Sequence, residues 1–286
     1  MDKKFLKQMF NALICPVVDF SLAEMSRKAQ ALTDKLSISG VQPKLSVKFD
    51  KKQNELIPAA VGGEYILKPQ VAAFANVPEN EQCCMDIAGA LNIDIPLHCL
   101  IELKDKTLAY VVKRFDRVKG KKIHQEDFSQ ILEQPFKYNG SVEQIGKKLK
   151  EISSAPGYDV QLFFERVVFN FIIGNGDAHL KNYSIFYKDD STVRLTPAYD
   201  IVCSKLVISD EADSALTING KKNKLDREDF DALAEYFNIP LKVRYEGFAD
   251  KSDLIKSIIE SSFLSKEKQQ QFIDLTQERM KRLRLV

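Results

Sequence analysis

The sequence has no tryptophan and only three histidines, and that scarcity already narrows the chemistry it can host. A metallohydrolase centre built on imidazole needs several such ligands, and His98, His124 and His179 form no ligand-like cluster along the chain. Cysteine is sparse as well: Cys83 and Cys84 are adjacent, Cys15, Cys99 and Cys203 are isolated, and no C-x-x-C pair occurs. Reduced, mostly buried thiols are therefore expected, with neither a disulfide framework nor a zinc site. Glycine and proline together fill 22 positions, too few for a collagen-like or low-complexity chain. The longest uncharged stretch, Gln8 to Val18, is broken by Asn11 and Pro16 and falls well short of the ~20 apolar residues of a spanning helix. Lys7, Gln8 and Asn11 also interrupt what would be the core of a signal peptide, and no small-residue cleavage pattern follows. A cytoplasmic protein with no membrane partner is expected. Nor is there an excess of one charge: 42 Lys and Arg against 40 Asp and Glu leave +2, so no direct nucleic-acid binding is expected and any charged ligand must be held locally.

What remains is ordinary globular composition, 44% apolar and 29% charged over 286 residues. That length is about twice a ~150-residue domain, which predicts one large two-lobed unit or two closely packed domains. No repeat and no Ser/Gly-rich or like-charged linker separates them. The expected division is a strand-rich lobe over residues 1–115 and a helical lobe over 116–286. In the first, Ser21 and Glu24 have capping-box spacing and predict a helix from Ser21 to Lys35. Strands follow at Lys44–Phe49, Tyr65–Leu67, His98–Leu103 and Thr107–Phe115, with one prominent helix at Glu79–Leu91. In the second, helices are expected at Gln125–Leu132, Ser141–Ile152 and Gln161–Ile173, the last apolar on nearly every face and therefore buried. Gly174-Asn175-Gly176 then forces a loop. A hairpin, Tyr183–Tyr187 and Val193–Leu195, ends in Thr196-Pro197-Ala198-Tyr199-Asp200. The chain from Asp226 reads as helical, and its basic last turn, Lys281–Arg284, is expected to complement a helix C-terminus.

The most informative spacing is Asp177-x-x-x-x-Asn182 on the loop after the buried helix, with Asp200 beyond the next hairpin. Phosphoryl transfer needs a carboxylate that takes the proton of the attacking hydroxyl, and an amide oxygen plus a second carboxylate that hold Mg²⁺ on ATP phosphates. Asp177 is then the candidate base, Asn182 and Asp200 the candidate metal ligands, and Lys181 a further charge for the transferring phosphate. Upstream, Lys68 closes a strand and Glu81 lies on the following helix, the order of a phosphate-binding lysine and its orienting glutamate. Taken alone, each pattern also reads as caps, turns and surface charges. Ser37 to Lys44 reads as a turn into a strand whose backbone N–H groups, hydroxyls and Lys44 could cradle phosphate, although it is not a G-x-G-x-x-G loop.

Four segments in order resemble the HipA-like serine/threonine kinases of bacterial toxin–antitoxin systems: Gly40-Val41-Gln42-Pro43-Lys44; Val112-Lys113-Arg114-Phe115-Asp116-Arg117 followed by His124-Gln125-Glu126-Asp127-Phe128; Asn175 to Asn182; and Leu195 to Asp200. The resemblance covers roughly Ser37 to Ile218. The phosphate-loop motif comes too early for the small N-terminal subdomain of HipA proteins, which makes the chain similar to the short HipT kinases of three-gene HipBST systems. The resemblance implies an α+β, two-lobed protein-kinase-like fold with ATP between the lobes and Mg²⁺ as the ion. It implies that Ser39, Gly40, Val41, Gln42 and Lys44 contact ATP phosphates and that Lys68 binds the nucleotide. Lys113, Arg114 and Phe115 would face adenine, Asp116 the ribose, and His179, Lys181, Asn182 and Tyr199 would line the site. Asp177 would be the base, Asn182 and Asp200 the Mg²⁺ ligands, and Ser37 and Ser39 the self-phosphorylated serines. It further implies a toxin that phosphorylates an aminoacyl-tRNA synthetase, tryptophanyl-tRNA synthetase for HipT, with HipS-like and HipB-like partners. Two other classes compete. A pseudokinase would bind partners without catalysis, and Asp177-Ala178-His179 is also the D-x-H that opens metallophosphoesterase sites.

Overall fold

The structure is a computed structural model that describes residues 1–25, 27, 44–118, 120–189 and 191–286. Its contacts divide the chain into two units, Met1–Gln82 with Pro96–Lys121, and Cys83–Ile95 with Lys122–Val286.

In the first unit, helix α1 (Lys3–Phe10) precedes everything the sequence patterning signalled. Asp2 caps it by accepting from the Phe5 N–H at 2.7 Å, and Asn11 ends it in the left-handed region at φ 52°. Its buried residues Leu6, Met9 and Phe10 enter one core with Leu45, Val47, Leu56, Tyr65 and Leu67. The predicted capping box is present, Ser21 N–H on Glu24 Oε2 at 2.8 Å and Glu24 N–H on Ser21 Oγ at 3.3 Å, while most of the helix expected beyond it lies outside the described residues. Strands β1 (Leu45–Asp50), β2 (Glu55–Pro58), β3 (Tyr65–Pro69), β4 (His98–Glu102) and β5 (Leu108–Lys113) form an antiparallel sheet in the order β2-β1-β3-β5-β4. Helix α2 (Val77–Ala90) follows β3 and carries the chain across the boundary between the units.

The second unit departs from expectation at its start. Strand β6 (His124–Asp127), whose residues 125–127 open the helix expected at Gln125–Leu132, pairs with β7 (Ser184–Tyr187), which pairs in turn with β8 (Val193–Leu195). Asp127 then caps the short helix α3 (Phe128–Ile131) through a capping box with Gln130, so helix begins only at Phe128. Helix α4 (Val142–Ile152) forms within the expected span Ser141–Ile152, with Ser141 as its cap. Helix α5 (Pro156–Ile172) starts earlier than its apolar run, because Pro156 fits the first helical turn. Phe163, Phe164, Val168 and Phe169 are all fully buried; at about 1.5–3 kcal/mol for each large apolar side chain, they fix where the end of α5 delivers the loop that follows. Helices α6 (Arg227–Tyr236), α7 (Ser252–Ser261) and α8 (Lys266–Arg282) complete the unit. The basic end of α8 does more than balance a dipole: Arg279 and Arg282 each reach Asp213 at 2.7 Å, and Arg282 also bonds the Leu225 carbonyl. All five cysteines are free, and no helix among the described residues is long and apolar enough to cross a membrane.

Candidate active site

Helix α5 ends where Gly174 takes φ 68°, a turn at which an added Cβ would also meet the Leu275 side chain at 2.6 Å. Asn175 pins the loop back on the helix. Its N–H donates to the Asn170 carbonyl at 2.8 Å, its amide nitrogen to Asn170 Oδ1 at 2.9 Å, and its own Oδ1 accepts from the Asp177 N–H at 3.3 Å. Gly176 donates to Ser204 Oγ at 2.8 Å, and a Cβ there would lie 2.4 Å from both the Ala212 carbonyl oxygen and Glu211 Oε2. Ser204 in turn hydrogen-bonds Glu211, whose carboxyl burial holds above the usual carboxylate range. The backbone entering Asp177 is therefore held from three directions.

The Asp177 carboxylate is half-buried and accepts from the Tyr138 hydroxyl at 2.7 Å. Burial and the adjacent carboxylate keep that phenol above its ordinary pKa, so it remains a donor. Two residues on, His179 is 7% exposed, and burial, reinforced by Lys137, depresses its imidazole to about 4 against the opposing pull of Asp177 and Asp200. It is neutral at physiological pH, and Nε2 accepts from the Lys137 ammonium at 2.7 Å. A single 3₁₀ turn, Leu180–Asn182, follows. Asn182 Oδ1 accepts from the His179 N–H at 3.0 Å, and Asn182 Nδ2 donates to Asp200 Oδ2 at 3.3 Å. The β7–β8 hairpin closes this contact across the intervening sequence: the Thr196 N–H returns to the Ser184 carbonyl at 3.0 Å, and the Tyr199 hydroxyl donates to the Lys181 carbonyl at 2.9 Å. Asp200 sits at φ 59°, a conformation that short polar side chains tolerate and that recurs at functional positions. Asn170, Asn175, Asn182, Tyr199, Asp200 and Arg166 line one pocket. Arg166 is buried and burial lowers its pKa to about 10, which leaves it charged at neutral pH.

The Asp200 carboxylate and the Asn182 amide oxygen are hard donors of the kind Mg²⁺ prefers; the amide turns its nitrogen to Asp200 and its oxygen to the His179 N–H, and that oxygen keeps one lone pair for an ion. Among the described residues no group of three or more His, Cys, Asp or Glu stands together for a metal, so the donors of a metallophosphoesterase centre are not assembled there. The Asp177-x-x-x-x-Asn182 and Asp200 segments thus meet as their spacing requires.

The first unit holds the other predicted residues. Lys68, on β3, pairs with Glu81, on α2, at 2.5 Å, with the two residues 4% and 1% exposed, and its ammonium lies over the Tyr110 ring. Lys44 immediately precedes β1 and is half-buried. Lys113 ends β5 with its ammonium on the Gln8 carbonyl at 2.7 Å, an engagement its sequence position does not reveal. Arg114 clasps Asp116 through Nε at 2.9 Å and Nη2 at 2.8 Å, and Arg117 joins them at 2.5 Å. Burial opposes ionisation of Asp116, but the two guanidinium groups outweigh it and hold the carboxyl below the usual range. Phe115 is half-buried in the turn that follows β5. Ser37, Ser39, Gly40, Val41 and Gln42 lie outside the described residues. Sequence reading passed over Lys137 and Tyr138. They occupy a segment with Pro135, Asn139 and Gly140 that signals only a loop, and nothing local ties it to Asp177.

The family profile described as the HipA-like C-terminal domain matches residues 36–269. Y4dM of Sinorhizobium fredii is 38% identical over 206 residues, covering 66% of this chain and 50% of that protein. The serine/threonine-protein kinase toxin HipA of Shewanella oneidensis is 26% identical over 209 residues, covering 65% of this chain and 47% of that one. The chain thus spans about half the length of these relatives. Among solved structures, HipA from the Shewanella oneidensis MR-1 complex of HipA, HipB and operator DNA superposes with a TM-score of 0.70 at 22% identity, covering 87% of this chain and 64% of that one. The expected α+β kinase-type fold is borne out by that likeness, and the chain belongs to the HipA-like C-terminal domain family.

Proposed function

We propose that this chain is the catalytic part of a serine/threonine protein kinase toxin of the HipT type, which transfers the ATP γ-phosphoryl group to a protein serine. The observation that supports this most is the 3.3 Å contact between Asn182 and Asp200 beside a loop that also carries Asp177. Asn182 and Asp200 would hold Mg²⁺, which would supply charge neutralisation at the phosphates. Among the described residues the Asp177 side chain carries one hydrogen bond, from Tyr138, and so retains lone pairs for the acceptor hydroxyl, whose proton it takes. Lys181 makes no ion pair among the described residues and serves the transferring phosphate, while Glu81 holds the Lys68 ammonium in one direction for the nucleotide. Because the Lys113 ammonium is engaged by Gln8, adenine recognition rests on the backbone of 113–115 with Asp116 toward the ribose. Catalysis is then positioning and electrostatics, without a covalent enzyme intermediate.

The finer reading is that the acceptor is an aminoacyl-tRNA synthetase such as tryptophanyl-tRNA synthetase, that the protein acts in the cytoplasm, and that HipS-like and HipB-like partners restrain it. The likeness to a HipA solved with HipB supports the second partner. Self-phosphorylation at Ser37 and Ser39 would add about 1.5–2 negative charges at each site beside the ATP phosphates and switch the kinase off. Incubating the chain with labelled ATP and Mg²⁺ in bacterial lysate tests the reaction and displays its acceptor. Label should enter a protein band with the intact chain and not with Asp177→Ala; equal labelling by both would refute the assignment of the base.

A further inference from the structure

A carboxylate base works only if one of its oxygens faces the acceptor hydroxyl, and the loop contacts that fix the Asp177 backbone leave its side-chain torsions unset. Among the described residues the one hydrogen bond on that carboxylate comes from the Tyr138 hydroxyl, 2.7 Å from Oδ1. Tyr138 is itself exposed, but the segment that carries it is anchored on several sides. The Leu180 N–H of the catalytic loop donates to the Lys137 carbonyl at 3.1 Å, and the Thr217 N–H donates to the Gly140 carbonyl at 3.3 Å. Lys222 Nζ donates to the Tyr138 carbonyl at 3.3 Å. The Tyr138 ring stands edge-on to His179 with centroids 5.4 Å apart, and the Lys137 ammonium lies 4.8 Å from that ring while bonding His179 Nε2 at 2.7 Å. One lysine thus ties the tyrosine to the histidine of the loop that carries the base.

We infer that Tyr138 is a positioning residue of the phosphotransfer reaction: its hydroxyl holds Asp177 Oδ1 and so presents Oδ2 to the acceptor hydroxyl. This rests on the assignment of Asp177 as the base. No proton passes through the phenol. It donates to Oδ1 throughout, while Oδ2 takes the proton of the acceptor hydroxyl as the acceptor oxygen bonds the γ-phosphorus, the bond between that phosphorus and the β,γ-bridging oxygen breaks, and ADP leaves with the electron pair of that bond.

The test compares the intact chain with Tyr138→Phe, which keeps the ring on His179 and removes only the hydroxyl, by initial rates of label transfer from ATP into lysate protein. The kcat should fall about 10- to 100-fold, in line with the sensitivity of such reactions to small misplacements, with KM for ATP within about twofold of the intact chain. Binding of ATP itself, titrated calorimetrically, should be the same in Tyr138→Phe as in the intact chain, because the tyrosine acts on the base and not on the nucleotide. A Tyr138→Phe rate equal to or above that of the intact chain overturns the inference, as does a KM for ATP that rises in proportion to the loss of rate. Absence of transfer by the intact chain overturns the kinase reading itself, and the inference falls with it.

Discussion

The two ends of helix α5 carry aspartates of opposite character. Asp159, in the first turn, is wholly buried and fully occupied: it accepts from Ser153 Oγ at 2.5 Å, from Arg194 Nη2 at 2.8 Å and Nε at 3.0 Å, and from the Leu195 N–H at 3.0 Å. Asp177, just beyond the last turn, is half-buried and among the described residues holds one side-chain bond, while the backbone around it is pinned by Asn175, Gly176 and Asn182. A buried carboxylate whose acceptor sites are all filled is a structural joint. A carboxylate with open sites on a rigid backbone is prepared for something that arrives from outside. The same helix supports both, and the difference lies in what its neighbours leave unsatisfied.

That contrast breaks most visibly at the open end. Asp200→Ala should lower phosphoryl transfer by about a thousandfold or more, with a loss of only about 1 kcal/mol in unfolding free energy, because it removes the proposed ligand together with its Asn182 contact and places Ala at φ 59°. Retention of activity would move the metal site elsewhere. Asp159→Ala should do the reverse, since it strands Arg194 and the Leu195 N–H; a loss of about 3–5 kcal/mol in unfolding free energy is expected, with activity per folded molecule preserved at low temperature. A smaller effect is expected where the loop is merely crowded. Gly176→Ala should cost about 1–3 kcal/mol, since the Ala212 backbone oxygen at 2.4 Å has no side-chain freedom with which to yield, and activity should fall with the displaced loop.

The smallest effect concerns Asp213, a second saturated carboxylate. Burial opposes its ionisation, but Arg279 and Arg282 outweigh that and bring its pKa from 3.8 to about 2. Its contribution to stability is therefore complete above about pH 4 and is lost as pH falls toward 2. Asp213→Asn should flatten the acid limb of a stability profile across that window and leave the profile above pH 5 parallel to that of the intact chain. An unchanged acid limb would show that the pair contributes nothing through its charge.

The open site was legible in the sequence because its punctuation is local. Gly174 and Gly176 force a loop after an apolar run, and the residues that turn the β7–β8 chain back predict the hairpin that brings Asp200 to Asn182. What escaped depended on partners remote in sequence. Residues 125–127 read as the start of a helix that in the structure begins only at Phe128, because their pairing with β7 overrides propensity. Helix α1 went unread because its buried face is brief and set among lysines; its burial is decided by a sheet that begins at Leu45. A single boundary near residue 115 cannot express a division that assigns Cys83–Ile95 to the second unit, since packing rather than chain order decides it. Tyr138 had no signal at all, because what marks it is a hydroxyl 39 positions away from the carboxylate it bonds.

Calorimetric titration of ATP into the intact chain and into Asp200→Ala, each with and without Mg²⁺, tests the central claim most directly. Asn182 and Asp200 acting as the ion's ligands predict that Mg²⁺ tightens ATP binding to the intact chain at least tenfold and has no such effect on the variant. Equal enhancement in both proteins would contradict the assignment of the metal site.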